Sequence, residues 1–174
     1  MVMRVQIETH IEVHKYAWWV VPAIGFLALV LQAFLPVYVA WAGMLELPLL
    51  VTLYFGLSRR NPNTGLLLGM MIGLLQDAAS GSAVPVGLYG IAKTFVGYGA
   101  SSIGGRLDVE HPLSRFFLTF GFFHFHQVIF AFTKRLLLAQ QEPLFSMNLL
   151  LASLVNAALA VVLFRLLDRL RKPS

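Results

Sequence analysis

Three charged side chains lie inside otherwise apolar stretches of the sequence: Glu46, Asp77 and Lys93. A charge in hydrocarbon costs at least about 2.5–3.5 kcal/mol, so such residues usually pair and face the protein interior. At 1.5 Å per residue, Asp77 lies about 20 Å and Lys93 about 18 Å from the inner side of the membrane, on two consecutive helices. We therefore expect Asp77 and Lys93 to pair, directly or through water. In the alternative, Asp77 reaches the outer interface and Lys93 extends its amino group towards water.

Glu46 stands two residues before Pro48, and two histidines, His124 and His126, lie in a later apolar stretch. Proline donates no backbone hydrogen bond, so Pro48 predicts a broken helix beside Glu46. Glu46 then lines a cavity or, as a protonated acid, hydrogen-bonds a neighbouring helix; the sequence leaves both open. The histidines fall on nearly opposite helix faces, so we expect them to contact neighbouring helices rather than share a metal ion.

Several sequence patterns of catalytic sites are absent. The chain has no Gly-x-x-x-x-Gly-Lys-Ser/Thr nucleotide loop, no Gly-x-Ser-x-Gly nucleophile turn and no cysteine. A chain without cysteine forms neither disulfides nor thiolate metal sites. We therefore expect no catalytic residue, no metal ion and no cofactor, and we expect that the protein is not an enzyme.

The composition indicates which elements must position these side chains. Of 174 residues, 58% are hydrophobic and only 12% are charged, whereas soluble domains carry about 25% charged residues. A chain of this size cannot bury that much apolar surface in a soluble core. The sequence therefore predicts an integral membrane protein with the lipid bilayer as its solvent. Its net charge of +5 then reflects basic residues beside membrane spans and not binding to nucleic acid.

Six apolar segments, separated by short loops, account for most of the chain. A helix that crosses a bilayer needs about 20 residues. We predict a single all-α membrane domain over residues 1–174, built as a bundle of six transmembrane helices. In a five-span alternative, the short second segment is re-entrant. Pro36 is expected to end the first helix, and the predicted spans are 16–34, 39–57, 64–79, 86–103, 113–138 and 145–167.

The distribution of lysine and arginine predicts the orientation of these spans. Six spans place both termini on one side, and the cytoplasmic side of a membrane protein is enriched in basic residues. Ten of the 13 basic residues fall on the side of the termini: Arg4, Lys15, Arg59, Arg60, Arg106, Arg115, Arg165, Arg169, Arg171 and Lys172. We therefore expect a multi-pass protein with both termini in the cytoplasm.

Small residues recur every four positions on two consecutive spans, each time in line with a charged residue. The first series is Gly65, Gly69, Gly73, Asp77 and Gly81, and the second is Lys93, Gly97, Ser101 and Gly105. Each series occupies one helix face, where small residues let another backbone approach closely. The pattern predicts tight packing within the chain or, alternatively, a seam for a partner helix. Together with Glu46 and Gly87, these residues are the candidates for structural or partner-interface roles.

A glycine-rich motif runs from Gly69 to Asp77 as Gly-x-x-x-Gly-Leu-Leu-Gln-Asp, followed by Gly81, Pro85-Val86-Gly87-Leu88 and Gly97-Tyr98. This stretch resembles the MreD family of rod shape-determining proteins, as do the chain length, the number of predicted spans and the basic tail. Pro85 departs from the leucine-glycine pair that is typical of the family's turn. The residues that match the family's packing core are Gly69, Gly73, Asp77, Gly81, Gly87 and Gly97.

The resemblance implies a non-enzymatic scaffold of the cell-elongation complex in the bacterial inner membrane. It implies a fold similar to the substrate-binding components of energy-coupling-factor vitamin transporters. It also implies binding to an MreC-like bitopic membrane protein and, through it, to MreB filaments and the RodA–transpeptidase synthase. Such a complex maintains cell shape during lateral peptidoglycan synthesis. Whether the chain forms a homodimer is left open.

A second hypothesis is a solute-binding membrane component of a vitamin-type transporter. Glu46, Asp77, Lys93 and the histidines would then line a pocket for a small polar molecule. Such components typically meet their coupling partner through an Ala-x-x-x-Ala pattern on the first helix. The alanines of the first span here, at positions 17, 23, 28 and 33, are not four apart. This departure favours the scaffold.

Overall fold

The computed structural model of the chain describes residues 16, 17, 19–59, 61–81 and 85–171. Over these residues the secondary structure consists of six α-helices and one short 3-10 helix, without strands. The α-helices are α1 (Val20–Tyr38), α2 (Leu47–Ser58), α3 (Pro62–Ala79), α4 (Leu88–Gly104), α5 (Pro112–Leu138) and α6 (Met147–Asp168), and the 3-10 helix (Ala40–Met44) lies between α1 and α2.

Helix starts follow from local capping chemistry. The side chains of Asn61, His111 and Ser146 each accept a hydrogen bond from the first turn of α3, α5 and α6, respectively. Proline occupies one of the first positions of α2, α3 and α5, where its missing N–H leaves no hydrogen bond unmade. The polar connections that separate the apolar segments therefore set where these helices begin.

Pro36 does not end the first helix, so the prediction of an end near residue 34 is wrong. α1 continues to Tyr38, with Pro36 inside its last turn. The N–H of Val39 still donates to the carbonyl oxygen of Leu35 at 2.9 Å and closes the helix. A proline removes its own N–H from the helix. Because Pro36 lies in the last turn of α1, this loss affects only the end of the helix.

The predicted interruption near Glu46 and Pro48 is present. The chain forms the 3-10 helix Ala40–Met44, passes through an extended residue at Leu45, and enters α2 at Leu47. α2 has only 12 residues, and all of them from Pro48 to Ser58 are buried. It contacts each of the other five helices. This short helix is therefore the centre of the helical core, and the break before it brings Glu46 to that centre.

Three helices, α1, α5 and α6, are long and apolar enough to cross a membrane, judged by length and composition. Large apolar side chains cover the outside: Phe26 on α1 is 69% exposed and Phe117 on α5 is 66% exposed. Such a surface is typical of a protein that is solvated by lipid. The chain is therefore a membrane protein. Four basic residues behind the orientation prediction lie outside the described residues: Arg4, Lys15, Arg60 and Lys172.

Candidate functional site

Asp77, at the end of α3, caps the N-terminus of α4. Its carboxylate is fully buried. One oxygen, Oδ2, accepts from the backbone N–H groups of Gly87 and Gly90, both at 2.9 Å, and Oδ1 accepts from that of Tyr89 at 3.0 Å. The first N–H groups of a helix have no partner within the helix, and together they favour a negative charge. Asp77 is therefore stabilised by backbone hydrogen bonds.

The predicted direct pairing of Asp77 with Lys93 is wrong. Lys93 is fully buried, and its amino group Nζ lies 3.3 Å from Oε2 of Glu46 and 3.4 Å from Nε2 of His126. The same nitrogen lies 4.6 Å from the centre of the Tyr89 ring. The lysine is thus held by groups from α4, α5 and the break before α2.

Gln32 of α1 provides hydrogen-bond partners for backbone groups at the break before α2. Its amide nitrogen Nε2 donates to the carbonyl oxygen of Leu45 at 2.8 Å. Its Oε1 accepts from the N–H of Leu47 at 2.9 Å. In an apolar environment each of these backbone groups would otherwise lack a hydrogen bond. Sequence reasoning missed Gln32, although an amide in the middle of an apolar span was the available signal.

Asn156 of α6 also holds this break. Its Oδ1 accepts from the N–H of Glu46 at 2.9 Å, and its Nδ2 donates to the carbonyl oxygen of Met44 at 2.8 Å. Asn156 is fully buried. Two amide side chains, from α1 and α6, therefore fix the backbone at the point where Glu46 turns towards Lys93.

The glycine series of α3 lies against α4. A Cβ atom on Gly65 or Gly97 would overlap the carbonyl oxygen of the other, and one on Gly69 would overlap that of Lys93. A Cβ on Gly73 would come within 2.7 Å of a backbone atom of α4. Close approach of two membrane helices requires such small residues. These faces are consequently filled by packing within the chain, which leaves no room there for a partner helix.

The other small candidates have two different roles. Ser101 is buried beside Gly65, on the α4 side of the same contact, and its hydroxyl has no hydrogen-bond partner in the described residues. Gly81 and Gly87 have open space around them but positive φ angles, of 61° and 112°. Such angles are strained for residues with a Cβ. These two glycines therefore shape the connection from α3 to α4.

A second polar cluster joins the end of α6 to the start of α5. Asp168 accepts from Nη2 of Arg115 at 2.7 Å and from the hydroxyl of Tyr54 at 3.0 Å, and it pairs with Nη2 of Arg171 at 2.6 Å. The hydroxyl of Tyr16 donates to Tyr54 at 3.0 Å. Sequence reasoning counted the two arginines only as flanking charges. No spacing in the sequence connects Arg115 with Asp168, which are 53 residues apart.

These arrangements hold helices together. In the described ranges, no group of three histidine or acidic residues could hold a metal ion. The buried charges meet opposite charges or backbone dipoles of the same chain. No family model matches the sequence, and neither a curated protein nor a solved structure matches it.

Proposed function

We propose that the chain is a non-catalytic membrane scaffold of the MreD type that binds a single-span, MreC-like partner during lateral cell-wall synthesis. One observation carries the choice of a scaffold over a solute-binding component. The three charged residues that a solute pocket would use are already engaged: Asp77 with the N-terminus of α4, and Lys93 with Glu46. A ligand would have to displace these contacts inside an apolar core, at a high cost.

The residues of the stretch that resembles the MreD family all contribute to one structural unit, the hairpin of α3 and α4. This supports the proposal. Gly69 and Gly73 are the positions at which α3 touches the backbone of α4. Asp77 caps α4, and Gly87 provides the left-handed residue just before it. The motif thus describes one helical hairpin whose parts depend on each other. A protein that carries the motif would build the same hairpin.

We further propose that all six helices lie in the bacterial inner membrane, with both termini in the cytoplasm and a fold similar to the substrate-binding components of vitamin transporters. α3 and α4 also expose apolar side chains, among them Met71 at 57% and Phe95 at 53%. α2 is too short to cross alone, at about 18 Å, but the 3-10 helix before it lengthens the segment. This supports a broken span rather than a surface helix.

The partner must use a face other than the glycine seam, because α3 and α4 fill that seam. The exposed apolar faces on the outside of the helices remain, among them those of α1, α5 and α6. Binding there would let the scaffold orient a single-span protein without a ligand. Through such a partner the chain would be connected to MreB filaments and to the RodA–transpeptidase synthase.

Gentle affinity purification of the tagged full chain from its native membrane tests the proposal, with mass spectrometry of everything retained. We expect an MreC-like single-span protein in stoichiometric amount, and depletion of the chain should make rod-shaped cells round. An equally expressed, tagged multi-pass protein of unrelated function is the control for non-specific capture. Recovery of an ATPase module or of a bound vitamin-like solute would overturn the scaffold.

A further inference from the structure

His124 is a half-buried polar side chain near the middle of α5, where it lines a groove on the outside of the helices. It lies on α5 about 18 Å from the Pro112 end and about 21 Å from the Leu138 end, at 1.5 Å per residue. Its ring contacts those of Phe120 and Phe123, with centres 4.8 Å and 6.1 Å away. Within the part of the chain that the structure describes, His124 makes no hydrogen bond.

His126, two residues later, shows the opposite situation. It is 1% exposed, and its Nε2 lies 3.4 Å from the amino group of Lys93. The two histidines therefore point to different sides of α5, as their spacing predicts. The chain uses one imidazole in its own core and leaves the other at its surface, where a polar group in hydrocarbon is costly.

The surface around His124 is concave. A groove of about 500 Å³ lies between α5 and the start of α6 and is lined by His124, Phe120, Phe145, Met147 and Leu150, among others. Exposed apolar side chains form its edge: Phe145 is 85% exposed and Met147 is 69% exposed. An apolar groove with one polar group in it is a surface on which a single helix can bind.

We propose that this groove binds the transmembrane helix of the single-span partner through a hydrogen bond to His124. This inference rests on the scaffold function above. The partner helix carries a serine, threonine, asparagine, glutamine or histidine at the level of His124. Such side chains form hydrogen bonds between helices in membranes. Apolar side chains of the same helix fill the space between Phe120 and Leu150.

Other occupants fit the groove less well. An acyl chain has no group that bonds to an imidazole, and headgroups lie about 15 Å from the bilayer centre, where the middle of α5 is expected. A second copy of this chain would have to present the same groove in a two-fold interface. Two concave surfaces placed face to face leave a void, whereas one helix fills it.

Photocrosslinking in the native membrane tests the proposal, with a benzoylphenylalanine at position 145 of the full-length chain. We expect one adduct, with a single-span protein. The same probe at position 26, on the exposed face of α1, is the control and should not give this adduct. His124→Leu should lower the yield at position 145 about three- to tenfold, as expected for loss of one hydrogen bond between membrane helices. His124→Gln should keep most of the yield.

Gln127→Leu is the matched control on the same helix and should leave the yield unchanged, and size-exclusion profiles establish that every variant is folded. An adduct of two copies, an adduct with lipid alone, or an equal yield with His124→Leu would each overturn the proposal. If an MreC-like protein co-purifies with the wild type but does not crosslink at position 145, this site is wrong and the scaffold function stands. If none co-purifies, the scaffold function is wrong, whereas a His124-dependent adduct with another single-span protein would still support the groove.

Discussion

The amino group of Lys93 on α4 lies 3.3 Å from the carboxylate of Glu46, at the break before α2. The lysine is fully buried, and the glutamate side chain is 15% exposed. The two residues are 47 positions apart in the sequence. This ion pair connects the interrupted segment to the α3–α4 hairpin, so the break and the hairpin stabilise each other.

Removal of one partner of this pair should destabilise the protein strongly. Glu46→Gln leaves an uncompensated lysine in the core, and Lys93→Met leaves the carboxylate, so each should cost about 3 kcal/mol. The double variant should lose clearly less than the sum, because neither charge remains. Thermal unfolding in detergent, followed by size exclusion, measures all three variants. Additive losses would show that the two side chains do not interact.

Asp77 should be needed for the start of α4. Asp77→Ala leaves three N–H groups without an acceptor, and we expect a loss of about 3 kcal/mol. Asp108→Ala is the matched control, because Asp108 also accepts from backbone N–H groups but is exposed. Its loss should be about 1 kcal/mol or less. Equal melting temperatures for the two variants would contradict the role of Asp77.

The glycine contact between α3 and α4 can be tested with single methyl groups. Gly69→Ala places a Cβ against the carbonyl oxygen of Lys93, which is backbone and cannot move aside. We expect a loss of about 2 kcal/mol or more, and Gly73→Leu should prevent folding or assembly. Gly121→Ala on α5 meets open space and should stabilise its helix by about 0.5–1 kcal/mol. Normal stability of Gly69→Ala would refute the close contact.

The amide of Gln32 should contribute more to the stability of the fold than its partial exposure suggests. Gln32→Leu leaves the N–H of Leu47 and the carbonyl oxygen of Leu45 without partners. We expect a loss of about 2 kcal/mol, measured as a lower melting temperature. Gln127→Leu removes an amide for which no hydrogen bond is formed within the described residues and should be nearly neutral. The same loss in both variants would mean that the break needs no side-chain support.

The six-span topology predicts where cysteines can be labelled. The chain has no cysteine, so single variants need no further change. A membrane-impermeant maleimide added to intact cells, with the outer membrane permeabilised where one is present, should label Tyr38→Cys and Gln140→Cys but not Arg106→Cys. In the five-span alternative, Tyr38→Cys is protected while the other two behave as before. The pattern at position 38 therefore decides between the two topologies.

Several features of this protein follow from sequence alone. Apolar length and composition predicted the membrane helices, and Pro48 predicted the interruption at Glu46. The four-residue repeat of Gly65, Gly69 and Gly73 placed them on one face of α3. All of these depend on residues that are near each other in the chain. Helical periodicity, proline geometry and the apolar length that spans a bilayer act locally, so a sequence reveals them.

Only the tertiary structure decided which groups meet. Depth along two helices suggested Asp77 as the partner of Lys93, but depth does not specify the direction of a side chain around the helix axis. The N-terminus of α4 binds Asp77, and the short α2 at the centre brings Glu46 to Lys93. The support of the break by Gln32 and Asn156 also depends on how α1 and α6 pack. Such contacts join residues that are far apart in sequence, and packing of whole helices determines them.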